Sequence, residues 1–495
     1  MTLRRRIWRR WNKFWFKSDK WRSDNRHRAR MYLTQTRLQN VWLKALMACL
    51  VGYALLGKGF AYLFIGECVL VAGFAIFLLS RRATLVASDS VLLLWGLFAF
   101  WGACRTIPFL STYHFDAIRD AVLWGYGLTA LFIVASVNSA EQIASGLNAY
   151  RKFLRWYMPL LPIILLLSGP LRPLMPVVPW SRDAAIVMLK PGDASVHLAA
   201  AALFWLILER QSSARKRRGF SAMQGVAIAG WFGATMFVLV RTRAGVLAII
   251  IPMALVSLLK LRRVAWKVGV FAVAGTFLLA MILESNLIQI NIHGRKFSSE
   301  QITNNLYSIA GQGDEKTDLE NTKVWRLIWW RHIVQYTVFG PYFWTGKGFG
   351  INLVLQDGPP HVTEDDKTTR SPHNGSMTVL ARMGVPGLVM WASLNLVFLF
   401  RMLRAYRRAA RSGAQFWASV NLWVLCYWIA AFINLSFDVY IEGPVGGILF
   451  WSIIGFGVSC LRVQSYEARQ IAHGRVRNFH TRSAEQLAVR ELSPS

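Results

Sequence analysis

Two arginines bracket one threonine in Val240-Arg241-Thr242-Arg243-Ala244-Gly245, where two long apolar runs meet. A guanidinium presents a planar fork of donors that matches phosphate oxygens. Snorkelling toward lipid headgroups is the competing reading of such arginines. It is the weaker one here, because basic residues are otherwise kept off this side of the chain. Arg241 and Arg243 are therefore candidates for clamping a lipid-linked diphosphate. A second pair lies in Trp325-Arg326-Leu327-Ile328-Trp329-Trp330-Arg331. An amphipathic helix anchored by Trp at the membrane interface explains this pattern too, and for Arg331 the two readings stand level.

A third stretch, Arg370-Ser371-Pro372-His373-Asn374-Gly375, ends where another apolar run begins. Pro372 biases Ser371 away from helix, so a break there would present His373 at the membrane face. A lone histidine is more often structural, but this one adjoins Arg370 and Asn374 at the mouth of a helix. A neutral imidazole can take a proton from an attacking hydroxyl near pH 7. Gly346-Lys347-Gly348-Phe349-Gly350 lacks the spacing of a phosphate-binding loop and reads as a tight turn. The carboxylates of Glu364-Asp365-Asp366 suit Mg²⁺ or Ca²⁺ in principle, but adjacent acids on a loop read first as a solvated run. His114, His197, His332 and His361 show no ligand spacing. No metal and no cofactor is expected.

The elements that must position these groups follow from composition. Of 495 residues, 54% are hydrophobic and 17% charged, with mean hydropathy +0.35. A soluble chain normally carries about a quarter charged residues. Disorder is excluded by 22 Trp, 30 Phe and long aliphatic runs. The class that fits is an all-α polytopic membrane protein. Apolar runs at 41–57, 60–79, 85–104, 120–137, 157–171, 194–209, 222–240, 244–259, 267–288, 376–400, 415–434 and 444–461 predict about twelve transmembrane helices. Each is near the ~20 residues that cross a bilayer, and Pro159 and Pro162 interrupt the fifth.

The net charge of +32 is distributed unevenly, most of the 57 Lys and Arg falling on one side of these spans. That side is expected to be cytoplasmic and to hold both termini. The expected organisation is a basic cytoplasmic arm (1–40), helices one to nine (41–288), one large external loop (289–375), helices ten to twelve (376–461) and a cytoplasmic tail (462–495). The arm interleaves Arg and Lys with Trp8, Trp11, Trp15 and Trp21. Contact with an anionic leaflet explains it more simply than nucleic acid, so membrane lipids and no nucleic acid are expected as partners. The five cysteines lie in predicted helices or at their ends, which implies no disulfide framework.

In order and spacing these stretches resemble the O-antigen ligase family, the ligase and polymerase group of bacterial polysaccharide synthesis. Thr242-Arg243-Ala244-Gly245 resembles the family's Ser-Arg-Gly-type turn. Arg326 with Trp329, followed by Gly346-Lys347-Gly348-Phe349-Gly350, resembles its Arg helix and glycine-rich turn. Pro372-His373-Asn374, leading into Leu380–Leu388, resembles its His-Asn segment. The resemblance covers roughly 225–400. Ala244 stands where the family often has Gly, and the basic arm is outside the family pattern. The resemblance implies a fold like the metal-independent C-type glycosyltransferases, in the bacterial inner membrane with its large loop periplasmic. It implies transfer of a glycan from undecaprenyl diphosphate to lipid A-core, or to a growing glycan in polymerases, with other polysaccharide-assembly proteins as further partners. By position, Arg243 and Arg326, with Arg241 beside them, would hold the diphosphate. His373 would face the acceptor hydroxyl, with Asn374, Arg370 and Trp329 in support.

The rival from another class is a polysaccharide-lipid transporter or flippase, since twelve helices are common in carriers. A carrier usually places ionisable groups at the midplane and shows repeated halves. Here Glu67 and Asp89 are scattered, no internal repeat is evident, and the polar weight lies outside. A non-catalytic assembly subunit is a third reading. Ligase and polymerase are not separable from the sequence.

Overall fold

Apolar residues crowd the chain in runs long enough that burying them requires helices, with every backbone donor satisfied inside its own segment. The computed structural model describes residues 35–80, 84–179, 181, 184–209, 222–259, 291–292, 295–296, 318–357 and 370–472. The helices are α1 (Gln35–Leu56), α2 (Lys58–Ala61), α3 (Ile65–Leu79), α4 (Leu85–Ser88), α5 (Ser90–Thr106), α6 (Leu110–Gly125), α7 (Leu128–Ser136), α8 (Ala140–Leu167) and α9 (Pro191–Ile207). They continue with α10 (Ala222–Arg241), α11 (Arg243–Leu259), α12 (Asp318–Thr337), α13 (Leu353–Asp357), α14 (Gly375–Arg411), α15 (Gln415–Leu435) and α16 (Pro444–Ala472). Two strands of two residues each, Asn291–Ile292 and Arg295–Lys296, pair antiparallel.

Among the described residues, six helices are long and apolar enough to cross a membrane, or seven if α7 and α8, bent by 120°, form one span. Three shorter apolar helices, α3, α9 and α11, have 15, 17 and 17 residues. The expected span 267–288, the basic arm, most of the 289–317 segment and Glu364-Asp365-Asp366 lie outside the described residues. Two expectations need correction. The run 120–137 is divided at Tyr126-Gly127, where Trp95 packs so tightly that a Cβ on Gly127 would sit 1.8 Å from its Nε1. Pro159 and Pro162 do not interrupt a span but lie inside the 28-residue α8, whose neighbour α10 brings Gly230 against the Met158 carbonyl.

Helices α9, α11 and α15 pack mutually, and α14 packs on α5 and α15. α9 and α11 begin at the end of this group where α15 stops, so three connections meet there. α14 breaks at Gly384 (φ 68°), and Pro386 follows. Pro386 has no N–H, which releases the Arg382 carbonyl. That carbonyl accepts from Gly348 N at 3.0 Å, while Ala381 O accepts from Lys347 N (2.7 Å) and Val385 N donates to Phe343 O (2.8 Å). The glycine-rich turn is thus hydrogen-bonded into the break in α14. Gly346, Gly348 and Gly350 all have positive φ, and a Cβ on Gly346 would lie 2.4 Å from the Arg382 backbone.

The two carboxylates that a carrier reading would use have local partners. Asp89 caps α5 and forms a two-pronged pair with Arg401 at 2.7 and 2.8 Å. Glu67 accepts from the Tyr126 hydroxyl at 2.6 Å.

Candidate functional site

His373 is the most constrained of the predicted residues. It has φ 53°, in the left-handed region that non-glycine residues seldom occupy, which costs on the order of 1 kcal/mol. Both flanks hold it there. Asn374 caps α14, its side-chain oxygen accepting from Ser376 N (2.9 Å) and Met377 N (3.1 Å). The Pro372 carbonyl accepts from Trp330 Nε1 at 2.8 Å. Arg370 donates to Gly350 O at 2.7 Å and pairs with Asp116 and Asp120, each at 3.3 Å. Asp120 also binds the fully buried Arg382 (3.0 Å) and Gly350 N (3.0 Å). Arg370 and Asn374 thus fix the backbone on either side of His373 through partners of their own.

The imidazole lies edge-on to Trp325, ring centres 5.7 Å apart, and its Nδ1 is 3.6 Å from Asp438 Oδ1. Asp438 sits in the connection between α15 and α16. It accepts from Lys190 at 3.1 and 3.3 Å and from Val439 N at 2.7 Å. Burial works to raise the Asp438 carboxyl, but His373 and Lys190 outweigh it and hold the group below the usual carboxylate range. Burial likewise works to lower the Lys190 ammonium, and Asp438 with Asp193 raises it instead.

Arg326, on α12, reaches the same connection, donating from Nη1 to the Phe437 carbonyl at 3.0 Å. Its guanidinium lies 5.5 Å from the Trp325 ring centre. Burial lowers its affinity for the proton, Asp438 opposes this, and the nearby charge of Arg243 lowers it further. The mutual influence puts Arg326 and Arg243 within electrostatic reach of one another. Arg243 opens α11, and Thr242 before it accepts from Gly245 N at 3.3 Å in the manner of a cap. A Cβ on Gly245 would meet Thr242 at 2.6 Å and Ser195 of α9 at 3.1 Å, so a glycine one place after Ala244 is what the turn needs. The N-termini of α9, α11 and α14 all end here and add partial positive charge.

The structure therefore brings Arg326 and His373 to Asp438 and its connection, with Arg243 within electrostatic reach of Arg326. Arg241 packs over Phe237, 5.4 Å from its ring centre. Trp329 is 1% exposed, in a core with Ile333, Leu353 and Leu380, and its ring centre lies 5.9 Å from that of Trp325, which packs on His373. Lys347 bonds Asp357 and lies over Tyr336, so its charge serves the glycine-rich turn. Sequence reasoning missed Lys190, Asp193, Asp438 and Glu442. The available signal was charge in short segments between apolar runs, in Lys190-Pro191-Gly192-Asp193 and around Asp438 and Glu442.

Residues 228–392 match the family described as O-antigen ligase. The chain carries a domain of the O-antigen ligase family. No curated protein matches the chain. The O-antigen ligase domain contains Arg243, Arg326 and His373, whereas Lys190 and Asp438 lie on either side of it. The apolar helices make the chain a multi-pass membrane protein, and the domain supports an enzyme of ligase or polymerase type in general.

Proposed function

We propose that the chain is a glycosyltransferase that moves a glycan from undecaprenyl diphosphate to an acceptor hydroxyl of lipid A-core, at the periplasmic face of the bacterial inner membrane. The carrying observation is that Arg326 and His373, far apart in sequence, meet at Asp438 and its connection, with Arg243 in electrostatic reach of Arg326. In the reaction the acceptor oxygen bonds the anomeric carbon, and the bond from that carbon to the diphosphate oxygen breaks. The electron pair leaves with the diphosphate, where two guanidiniums and helix N-termini stabilise the growing charge. The acceptor proton goes to His373. Its Nδ1 faces Asp438, which leaves Nε2 as the proton acceptor and gives the resulting imidazolium a carboxylate partner.

The test is transfer from a lipid-linked oligosaccharide donor by purified protein in detergent. His373→Ala and Arg326→Ala are each expected to lose about 10²-fold or more of the turnover rate, at normal accumulation in the membrane. Wild-type turnover in both variants would overturn the mechanism. Gel analysis of surface glycans after gene deletion separates the acceptors. Loss of all glycan-capped lipid A-core supports the ligase reading, and a single-repeat ladder shows a polymerase.

A further inference from the structure

Lys190 is used by nothing in the mechanism above, yet it is held more firmly than a surface lysine. Met188, two residues before it, exchanges backbone hydrogen bonds with Leu56 O (2.8 Å) and Lys58 N (2.9 Å), which anchors the connection to the end of α1. Pro191 then starts α9 directly after Lys190. Gly192 lets that helix end close on its neighbours, since a Cβ there would lie 2.8 Å from Asn434 Oδ1 and 3.8 Å from Asp438 Oδ2. The ammonium contacts both oxygens of Asp438, and Oδ1 is the oxygen facing His373.

We infer that Lys190 is a positioning residue of the transfer reaction, acting through Asp438 to fix the carboxylate against His373 Nδ1 and to keep the imidazole neutral until the acceptor proton arrives. The inference rests on the role given to His373 under the proposed function. The charged groups around this pair are Lys190 and Asp193 at the start of α9, Arg326 from α12, Arg243 from α11, and Glu442 from the α15–α16 connection. Without Lys190, the Val439 amide is the remaining hydrogen-bond donor to the Asp438 carboxylate among the described residues, and the carboxylate pairs more fully with a protonated His373. The repulsion between ammonium and imidazolium also vanishes. Both changes favour the charged imidazole, so the base is silenced up to a higher pH.

Lys190→Met, which keeps the unbranched stem, is expected to lower kcat about 10-fold or more with donor KM within about twofold. The acidic limb of its pH–rate profile should move up by about half a pH unit or more. Lys190→Arg should restore most of kcat. In an Asp438→Asn chain, Lys190→Met should add little further loss, because the residue acts through that carboxylate. A second readout needs no turnover: carbethoxylation of His373 by diethyl pyrocarbonate, followed by mass spectrometry across pH. Its midpoint should move upward in Lys190→Met and stay near wild type in Lys190→Arg. An unmoved midpoint overturns the inference, as does a loss in the Asp438→Asn background as large as in wild type. A raised donor KM at unchanged kcat overturns it too and makes Lys190 a donor-binding group. An inactive wild type instead defeats the proposed function, and the modification experiment still decides the placement of Lys190.

Discussion

At the residue scale the site is a balance of opposed charges. Lys190 faces Asp438, Asp193 and Glu442, and Arg326 lies near Asp438 with Arg243 in its electrostatic reach, where several helix ends meet, so removing one charge unbalances the rest. Asp438→Asn preserves shape and removes only the charge opposite His373. It is expected to reduce kcat about 10²-fold with little change in donor KM, measured by initial rates across donor concentration. The same variant tests a stability sign. Asp438 sits below its usual range when folded, so its contribution is present above the unfolded-state value and disappears as pH falls through the lower folded one. The stability gap between wild type and Asp438→Asn, read by thermal melting, should therefore narrow on acidification. Arg326→Lys is expected to recover little activity. The guanidinium bonds the Phe437 carbonyl through one arm, and a single ammonium cannot hold that contact and also present a fork to phosphate.

At the scale of elements, the break in α14 shows why a glycine-rich turn stands before the His-Asn segment. Gly346→Ala combines a positive φ of 58° with a Cβ 2.4 Å from backbone that cannot move aside. Gly413 also has positive φ, 76°, but open space around it. Gly413→Ala is expected to cost about 1 kcal/mol from backbone strain alone. Gly346→Ala should cost about 2–4 kcal/mol and lower the melting temperature more, with transfer reduced because Gly350 O anchors Arg370. Equal melting temperatures would show that the turn does not brace α14. The contrast also marks what the sequence could carry. Arg243 stood out as a candidate because charge beside apolar runs on the weakly basic side is costly without a role, His373 because a proline break puts it at a helix mouth, and Arg326 only through the family resemblance. Lys190 and Asp438 were not, because their pairing joins residues 248 apart and depends on how α9 meets α15. A Lys or Asp in a short connection otherwise reads as solvated. Trp329 reaches His373 through Trp325, a packing of rings that spacing along the chain does not register. Helix content followed from composition, but the break at Tyr126-Gly127 came from Trp95, a tertiary contact that periodicity cannot register.

At the scale of the molecule, the helices set a polarity that ties the chemistry to one side of the membrane. α14 starts beside His373 and runs 37 residues to an end carrying Arg401, Arg404, Arg407, Arg408 and Arg411. α16 starts near Glu442 and runs away from the site through Arg462 and Arg469. Arg401, Arg404, Arg407, Arg408, Arg411, Arg462 and Arg469 therefore lie at the end opposite the site, and ends rich in basic residues stay in the cytoplasm. This predicts an outward-facing site and can be read without any substrate. Of the native cysteines, Cys49, Cys426 and Cys460 are buried, so replacing Cys68 and Cys104 gives a quiet background. Leu174→Cys introduces a thiol at an exposed position in the connection leading to Lys190, and Gly413→Cys introduces one between α14 and α15 at the opposite end. In spheroplasts a membrane-impermeant maleimide should label Leu174→Cys at once and Gly413→Cys only after permeabilisation. The reverse pattern would place Arg243, Arg326 and His373 in the cytoplasm, remote from a donor displayed outside, and would remove the proposed reaction together with the proposed orientation.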